Sequence, residues 1–164
     1  MKINIQNLAN NLVELDDVID SDFLSESYRN HYPGPLKIHV VVDKFGSDIR
    51  FNIHLATEAQ YQCDRCLSLY RTPFEARLTQ IIQIGEGKLK DEEDVVLYPV
   101  GTTEIDIDPF LMEMIILNHP VKMLCRDDCK GICPGCGADL NHEPCRCGAE
   151  KTDPRWEELR KFIK

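Results

Sequence analysis

A chain of 164 residues with 43 % hydrophobic content can bury one ordinary core plus a small appendage that needs a metal to fold. It holds no stretch near the eighteen or so apolar residues of a membrane span. The formal net charge of −9 is uneven: Lys122 to Lys164 carries nine Lys or Arg against eight Asp or Glu, and the other 121 residues hold ten against twenty. A body this acidic repels phosphate backbones, which disfavours tight, direct RNA binding and makes basic proteins the better electrostatic match.

In chain order, Met1–Leu8 alternates weakly at Ile3 and Ile5 and is expected to form an edge strand. Between Asn10 and Pro35 the pattern supports no firm element beyond a helix near Ser21–Arg29. From Leu36 the rhythm is strand-like, clearest where Ile49, Phe51, Ile53 and Leu55 alternate with Arg50, Asn52, His54 and Ala56. Asp43–Asp48 supplies turn residues, so Leu36–Val42 and the Ile49 run are expected to pair as an antiparallel hairpin. The alternation continues through Ala59 and Tyr61 to Cys63, which places the first thiol pair at the end of a long strand, with Cys63-Asp64-Arg65-Cys66 as the tip of a second hairpin.

Beyond that tip, Leu67 and Leu69 are followed by Phe74, Ala76, Leu78, Ile82 and Ile84, so apolar parity changes at Pro73 and predicts a bulge or bend there. Gly85–Asp94 reads as a solvated acidic loop. Short strands are expected at Val95–Pro99 and Glu104–Ile107. Asp108-Pro109 is expected to cap and open a helix carrying Phe110, Leu111, Met114, Ile115 and Leu117, which His119-Pro120 stops. A second Asp-Pro start, Asp153-Pro154, precedes Trp156, Leu159, Phe162 and Ile163 at helical spacing, with Glu157 and Lys161 as an i,i+4 pair. A helix this short needs something to dock on.

The chemistry of the chain lies in its eight cysteines, which fall as Cys63-x2-Cys66, Cys125-x3-Cys129, Cys133-x2-Cys136 and Cys145-x-Cys147. Two thiolates so spaced can bend round one Zn²⁺, and a tetrahedral ion takes two such pairs, so two closed structural zinc sites are expected. Disulfides are the rival use. They fit poorly, because Met1–Leu8 has no apolar run of signal-peptide length and a chain in the reducing cytoplasm would not keep them. Cys133/Cys136 and Cys145/Cys147 flank an eight-residue loop, Gly137–Pro144, that can fold as a local zinc ribbon. Cys63/Cys66 and Cys125/Cys129 would then close the second site and staple the tail to the body. The alternative groups Cys125, Cys129, Cys133 and Cys136 at one ion and the outer pairs at the other. His142 is a conceivable substitute ligand in the ribbon loop.

No phosphate loop, nucleophile elbow or HExxH run occurs, and His31, His39, His54, His119 and His142 are scattered. Glu104, Asp106 and Asp108 sit at alternate positions, where a wet strand face is a simpler account than a cation or acid–base site. All-cysteine zinc sites are closed, so the metals are expected to be scaffold and the protein not an enzyme.

The run Cys63-Asp-Arg-Cys-Leu67, then Cys125-Arg-Asp-Asp-Cys-Lys-Gly-Ile-Cys-Pro-Gly-Cys-Gly-Ala-Asp-Leu-Asn141 and Asp153-Pro-Arg-Trp-Glu-Glu-Leu159, resembles the YceD family of bacterial and plastid proteins. The resemblance implies a non-enzymatic role in ribosome biogenesis, promoting accumulation of large-subunit (23S) rRNA. The family's genes often lie beside that of a large-subunit ribosomal protein, which agrees with a basic protein partner. The expected architecture is α+β: residues 1–121 form an antiparallel sheet body with one packed helix and a zinc knuckle at 63–66, and residues 122–164 a zinc-ribbon-like tail ending in a short helix. The expected function is a cytoplasmic adaptor that binds a ribosomal protein or precursor rRNA. The competing functions are a zinc- or redox-responsive thiol switch and an rRNA-processing nuclease using Glu104 and Asp106 with Mg²⁺.

Overall fold

The computed structural model describes residues 1–6, 8, 12–85 and 95–148. The strands are β1 (Lys2–Asn4), β2 (Leu12–Ile19), β3 (Leu36–Phe45), β4 (Asp48–Gln62), β5 (Leu69–Ile84), β6 (Val95–Tyr98) and β7 (Glu104–Asp106), and the helices are α1 (Glu26–Arg29) and α2 (Asp108–Asn118). The chain divides into two compact units, Met1–Tyr61 with Tyr70–Val121, and Gln62–Leu69 with Lys122–Lys164.

The first unit is α+β. Its main sheet has the order β2-β3-β4-β5-β6, and β1 and β7 form a separate antiparallel pair. The expected edge strand at the N-terminus is thus only three residues long and pairs outside the main sheet. The β3–β4 hairpin closes more tightly than its turn residues suggest, because Phe45 pairs with Asp48 and leaves a two-residue loop. Gly46 takes φ +62° there, which a residue without Cβ adopts freely and which matches the strand twist.

Several sequence expectations need correction. A full strand, β2, occupies part of the stretch read as irregular and pairs with β3 from Leu12↔Asp43 to Ile19↔Leu36. Among the described residues it pairs only with β3 and none of its own residues is buried, so its sequence lacks the period-two signal that burial imposes. The helix expected over Ser21–Arg29 is instead a 3-10 turn at Ser21–Phe23 followed by the single turn of α1. The body is not wholly antiparallel either, because β6 runs parallel to β5 over Ile81–Ile84. Finally, β5 crosses Pro73 without a change of face: Phe74, Ala76 and Ile82 are buried, whereas Leu67 and Leu69 are exposed. β6 pairs with β5 only from Ile81 on, which leaves Pro73 off the parallel ladder, where proline is tolerated. The acidic loop residues 86–94 and the helix expected from Asp153 lie outside the described residues.

The core forms where period-two and helical stripes meet: Leu36, Ile38, Val40 and Val42 of β3 and Ile49, Phe51, Ile53 and Leu55 of β4 are all buried. Helix α2 buries Phe110, Leu111, Met114 and Ile115, each worth about 1.5–3 kcal/mol when fully covered, and leaves Leu117 exposed. Its N-cap is Ile107, not Asp108. Asp108 instead pairs with the Met1 ammonium, as does Asp106 at 3.5 Å. His119 caps the other end and closes an aromatic cluster in which the Tyr32 hydroxyl lies 2.8 Å from the Tyr61 hydroxyl and 3.0 Å from His119 Nδ1. Burial, and then the neighbouring His31, hold the His119 imidazole below its ordinary pKa, so it sits there neutral.

Candidate metal centres

Both sites are built from the same backbone device, a tight knuckle between two cysteines. In the first, the Leu67 N–H donates to the Cys63 carbonyl at 2.9 Å and the Cys63 N–H to the Ser68 carbonyl at 2.9 Å. In the second, Gly137 donates to the Cys133 carbonyl at 2.9 Å and Cys133 to the Ala138 carbonyl at 2.8 Å. The residue after the second cysteine must turn left-handed: Gly137 has φ +72° and Leu67 has φ +60°. Glycine accepts this freely, while a leucine stores about 1–3 kcal/mol of strain.

The eight cysteines assemble into two tetrads, Cys63, Cys66, Cys125 and Cys129, and Cys133, Cys136, Cys145 and Cys147, with the four sulfurs of each within 4.8 Å of one another. This is the pairing that sequence distance favoured, and the alternative sharing of Cys125, Cys129, Cys133 and Cys136 does not form. The sulfur spacings test the fit. A tetrahedral ion with Zn–S bonds near 2.3 Å sets its ligands about 3.8 Å apart. Cys63 and Cys129 are 3.8 Å apart, Cys66 and Cys125 3.7 Å, Cys133 and Cys147 3.7 Å, and Cys136 and Cys145 3.9 Å. Such distances suit a shared cation and are too long for a disulfide bond.

The protonation pattern also calls for a cation. Burial opposes ionisation of Cys63, but the N–H groups of Cys125, Cys66 and Arg65 outweigh it and bring the thiol down to about 6. Burial and the three neighbouring thiols push Cys125 up to about 12. In the second tetrad the N–H groups of Ala138 and Arg146 bring Cys136 down to about 6, while Cys133, Cys136 and Cys145 push Cys147 up to about 12. Cys66 and Cys133 are lowered as well, so in each site the knuckle pair ionises more readily, while Cys125 in the first and Cys145 and Cys147 in the second are held protonated. A divalent ion at the centre removes that conflict.

Supporting contacts lock the knuckles in place. The Arg65 guanidinium donates to the Cys129 carbonyl at 2.7 Å, and the Asp64 carboxylate accepts the Met123 N–H at 2.7 Å. The Arg65 carbonyl accepts the Ile132 N–H at 2.9 Å, so close to Gly131 that a Cβ there would lie 2.9 Å from it. A Cβ on Gly135 would lie 2.6 Å from Cys147 Sγ. Asn141 joins the ribbon loop to the first site: its Oδ1 accepts the Lys130 N–H at 2.8 Å and its Nδ2 donates toward Cys129 Sγ at 3.5 Å. Sequence reasoning did not single out Asp64, Arg65 or Asn141 for these roles. Their only signal was closeness to cysteines, which polar loop residues share. His142 stands outside both tetrads, exposed and 3.7 Å from Asp139. Glu104 and Asp106 flank Ile105 in β7, where Asp106 serves the N-terminal ammonium and also accepts the Asp108 N–H at 3.2 Å.

An α+β unit and a cysteine-rich unit, Gln62–Leu69 with Lys122–Lys164, whose eight thiols gather into two clusters that could each hold a metal ion, define the class of protein. The chain belongs to the YceD family, described as Large ribosomal RNA subunit accumulation protein YceD, which it matches over residues 51–163. It is 36 % identical over 100 residues to an uncharacterized protein of Mycobacterium tuberculosis (strain ATCC 25618 / H37Rv), covering 60 % of this chain and 47 % of that one. It is 38 % identical over 63 residues to the Large ribosomal RNA subunit accumulation protein YCED homolog 1, chloroplastic, of Arabidopsis thaliana, covering 38 % of this chain and 20 % of the plant protein. The uncharacterized protein YlbN of Bacillus subtilis (strain 168) is 26 % identical over 131 residues, or 79 % of this chain and 75 % of its own length. The chain thus spans about half the length, or less, of the mycobacterial and plant relatives it matches. No solved structure matches it. Among the described residues, no helix is long and apolar enough to cross a membrane.

Proposed function

We propose that this protein is a non-enzymatic, zinc-stapled factor in ribosome biogenesis that promotes accumulation of large-subunit rRNA, as an adaptor for a ribosomal protein or an rRNA precursor in the bacterial cytoplasm. The observation that carries the proposal is the pair of closed cysteine tetrads in a chain of this family. Four thiolates on each ion leave no coordination position for water or substrate, and so favour recognition over turnover. The acidic balance outside residues 122–164 supports a basic protein as the direct contact. Use of Asp106 and Asp108 as partners of the Met1 ammonium weakens the nuclease alternative. Sucrose-gradient profiles and precursor-rRNA blots of a deletion strain test the role. A shortfall of large subunits with accumulating precursor is expected, and unchanged profiles refute it.

A second reading, a thiol switch, draws support from the exposure of Cys136, Cys145 and Cys147 in the second tetrad. Exposed thiolates are the ones oxidants reach first. Mild peroxide that leaves both zinc ions bound eliminates it.

A further inference from the structure

The main sheet ends at β2, and among the described residues no strand pairs with its other side. The Asp17 carboxylate accepts the Val18 N–H at 2.8 Å, so that N–H points away from β3. Peptide groups alternate along a strand, and Leu12, Glu14 and Asp16 therefore turn their N–H and C=O groups outward with Val18. Val13, Leu15 and Ile19 lie opposite Val42, Val40 and Leu36 of β3. Those β3 residues are fully buried, whereas the three on β2 are only half-buried. The core runs out at an unfinished rim that one more strand would cover.

Exposed edges are ordinarily guarded by Lys, Pro or a bulge. β2 has neither Lys nor Pro, and its eight residues pair with β3 one for one. We propose that this edge takes a cationic, extended segment of a protein partner as a sixth strand; this rests on the adaptor role above and names its surface. The outward peptide groups bond the added backbone, and Leu12 and Val18, 59 % and 61 % exposed, meet its alternate side chains. Charge selects the occupant. Glu14, Asp16, Asp17 and Asp20 stand along the edge with no Lys or Arg among residues 12–20. β3 adds Asp43 opposite Leu12 and Lys37 opposite Val18, while its Lys44 donates to the Ile5 carbonyl at 3.0 Å. The whole unit, Met1–Tyr61 with Tyr70–Val121, holds nine Lys or Arg against nineteen Asp or Glu. A strand bearing Lys or Arg is drawn to such an edge. A second copy sets one acidic edge against another, and RNA brings phosphates into a negative field.

The test uses the full zinc-loaded chain as wild type, Glu14→Pro, and Glu14→Gln combined with Asp17→Asn. Proline removes one outward N–H and is tolerated on an edge strand, while the double variant removes charge and keeps the backbone. The probes are total protein extracted from large ribosomal subunits and freed of RNA, and separately the RNA of the same subunits. Wild type is expected to retain a protein rich in Lys or Arg, identified by mass spectrometry and then purified. In the complex with that protein, hydrogen exchange followed by NMR should slow at the Glu14 and Asp16 amides. Glu14→Pro should bind it at least about tenfold more weakly, and the double variant about threefold more weakly with a shallower salt dependence. Exchange that slows elsewhere but not in β2, or unchanged affinity in both variants, overturns the edge assignment while leaving the adaptor role standing. Glu14 and Asp16 amides already slow in the free, dilute chain mean that its own residues cover the edge, and amides that slow as its concentration rises mean a second copy does; either result overturns the proposal. Retention of RNA that is lost in Glu14→Pro overturns the choice of a protein partner. Failure of wild type to retain any protein removes the adaptor role and this proposal with it.

Discussion

The two four-thiol sites have the same ligands but reach them by different routes. The first gathers cysteines 59 to 66 positions apart, with Cys63 and Cys129 buried, and the second closes within 14 positions, with Cys136, Cys145 and Cys147 exposed. A metal that closes a long loop removes more freedom from the unfolded chain than one that closes a short loop, though the dependence is only logarithmic. The larger difference is solvent access. The first site is expected to act as an inert staple and the second as an exchangeable one.

The largest expected effect separates them directly. Cys129→Ser should leave at most one zinc per chain and unfold the cysteine-rich unit, since a structural zinc contributes on the order of 10 kcal/mol to folding. Cys147→Ser should also lose one zinc but keep the first site, so that its melting profile retains the transition that Cys129→Ser abolishes. Metal analysis and thermal circular dichroism check both, and equal damage from the two variants would erase the distinction.

Acid should come next. Below about 6 even Cys63 and Cys136 hold their protons in the metal-free sites, so each zinc must displace four of them and affinity falls steeply as pH drops. Zinc release followed with a chromogenic chelator between pH 7.5 and 4.5 should proceed in two steps, the exposed site first. Release in one step would mean that the sites are thermodynamically coupled, with Asn141 the contact to examine.

Smaller effects come from the glycines. Gly131→Ala sets a Cβ 2.9 Å from the Arg65 carbonyl at φ +77°, and should cost about 1–3 kcal/mol and weaken the first site. Gly135→Ala meets Cys147 Sγ and should speed zinc loss to chelator at the second site only. The smallest effect lies in the α+β unit and serves as a control on the others. His119 is held neutral below its ordinary pKa, so the unfolded chain takes up its proton first as pH falls. Stability from this residue is full above about pH 6.5 and lost below it, down toward the folded-state pKa. His119→Gln should flatten that window in urea melts without changing zinc content.

What was legible in the sequence follows from the physics behind each signal. Thiol spacing gave the correct partners because a short loop and a long return are the two cheapest ways to bring pairs together, and among the described residues no other side chain joins either cluster. Full burial wrote β3 and β4 plainly as alternation. β2 was invisible because an edge strand lets apolar residues such as Leu12 and Val18 face water, which removes the pattern. The bend expected at Pro73 came from reading Leu67 and Leu69 as core when both are exposed. Asp108 fitted a cap by composition, but the Met1 ammonium beside it offered a stronger partner. Leu67 at a left-handed turn could not be foreseen, because local propensity argues against it.

The reach of the first site bears on synthesis. Cys66 leaves the ribosome 59 residues before Cys125. At roughly 5–20 residues per second the earlier pair waits roughly 3–12 s without its mates. During that interval two nucleophilic sulfurs ride on a nascent hairpin, open to oxidants and to stray metals. A shortage of zinc would lengthen that exposure past the end of synthesis, because the pair stays open until an ion closes the site with Cys125 and Cys129.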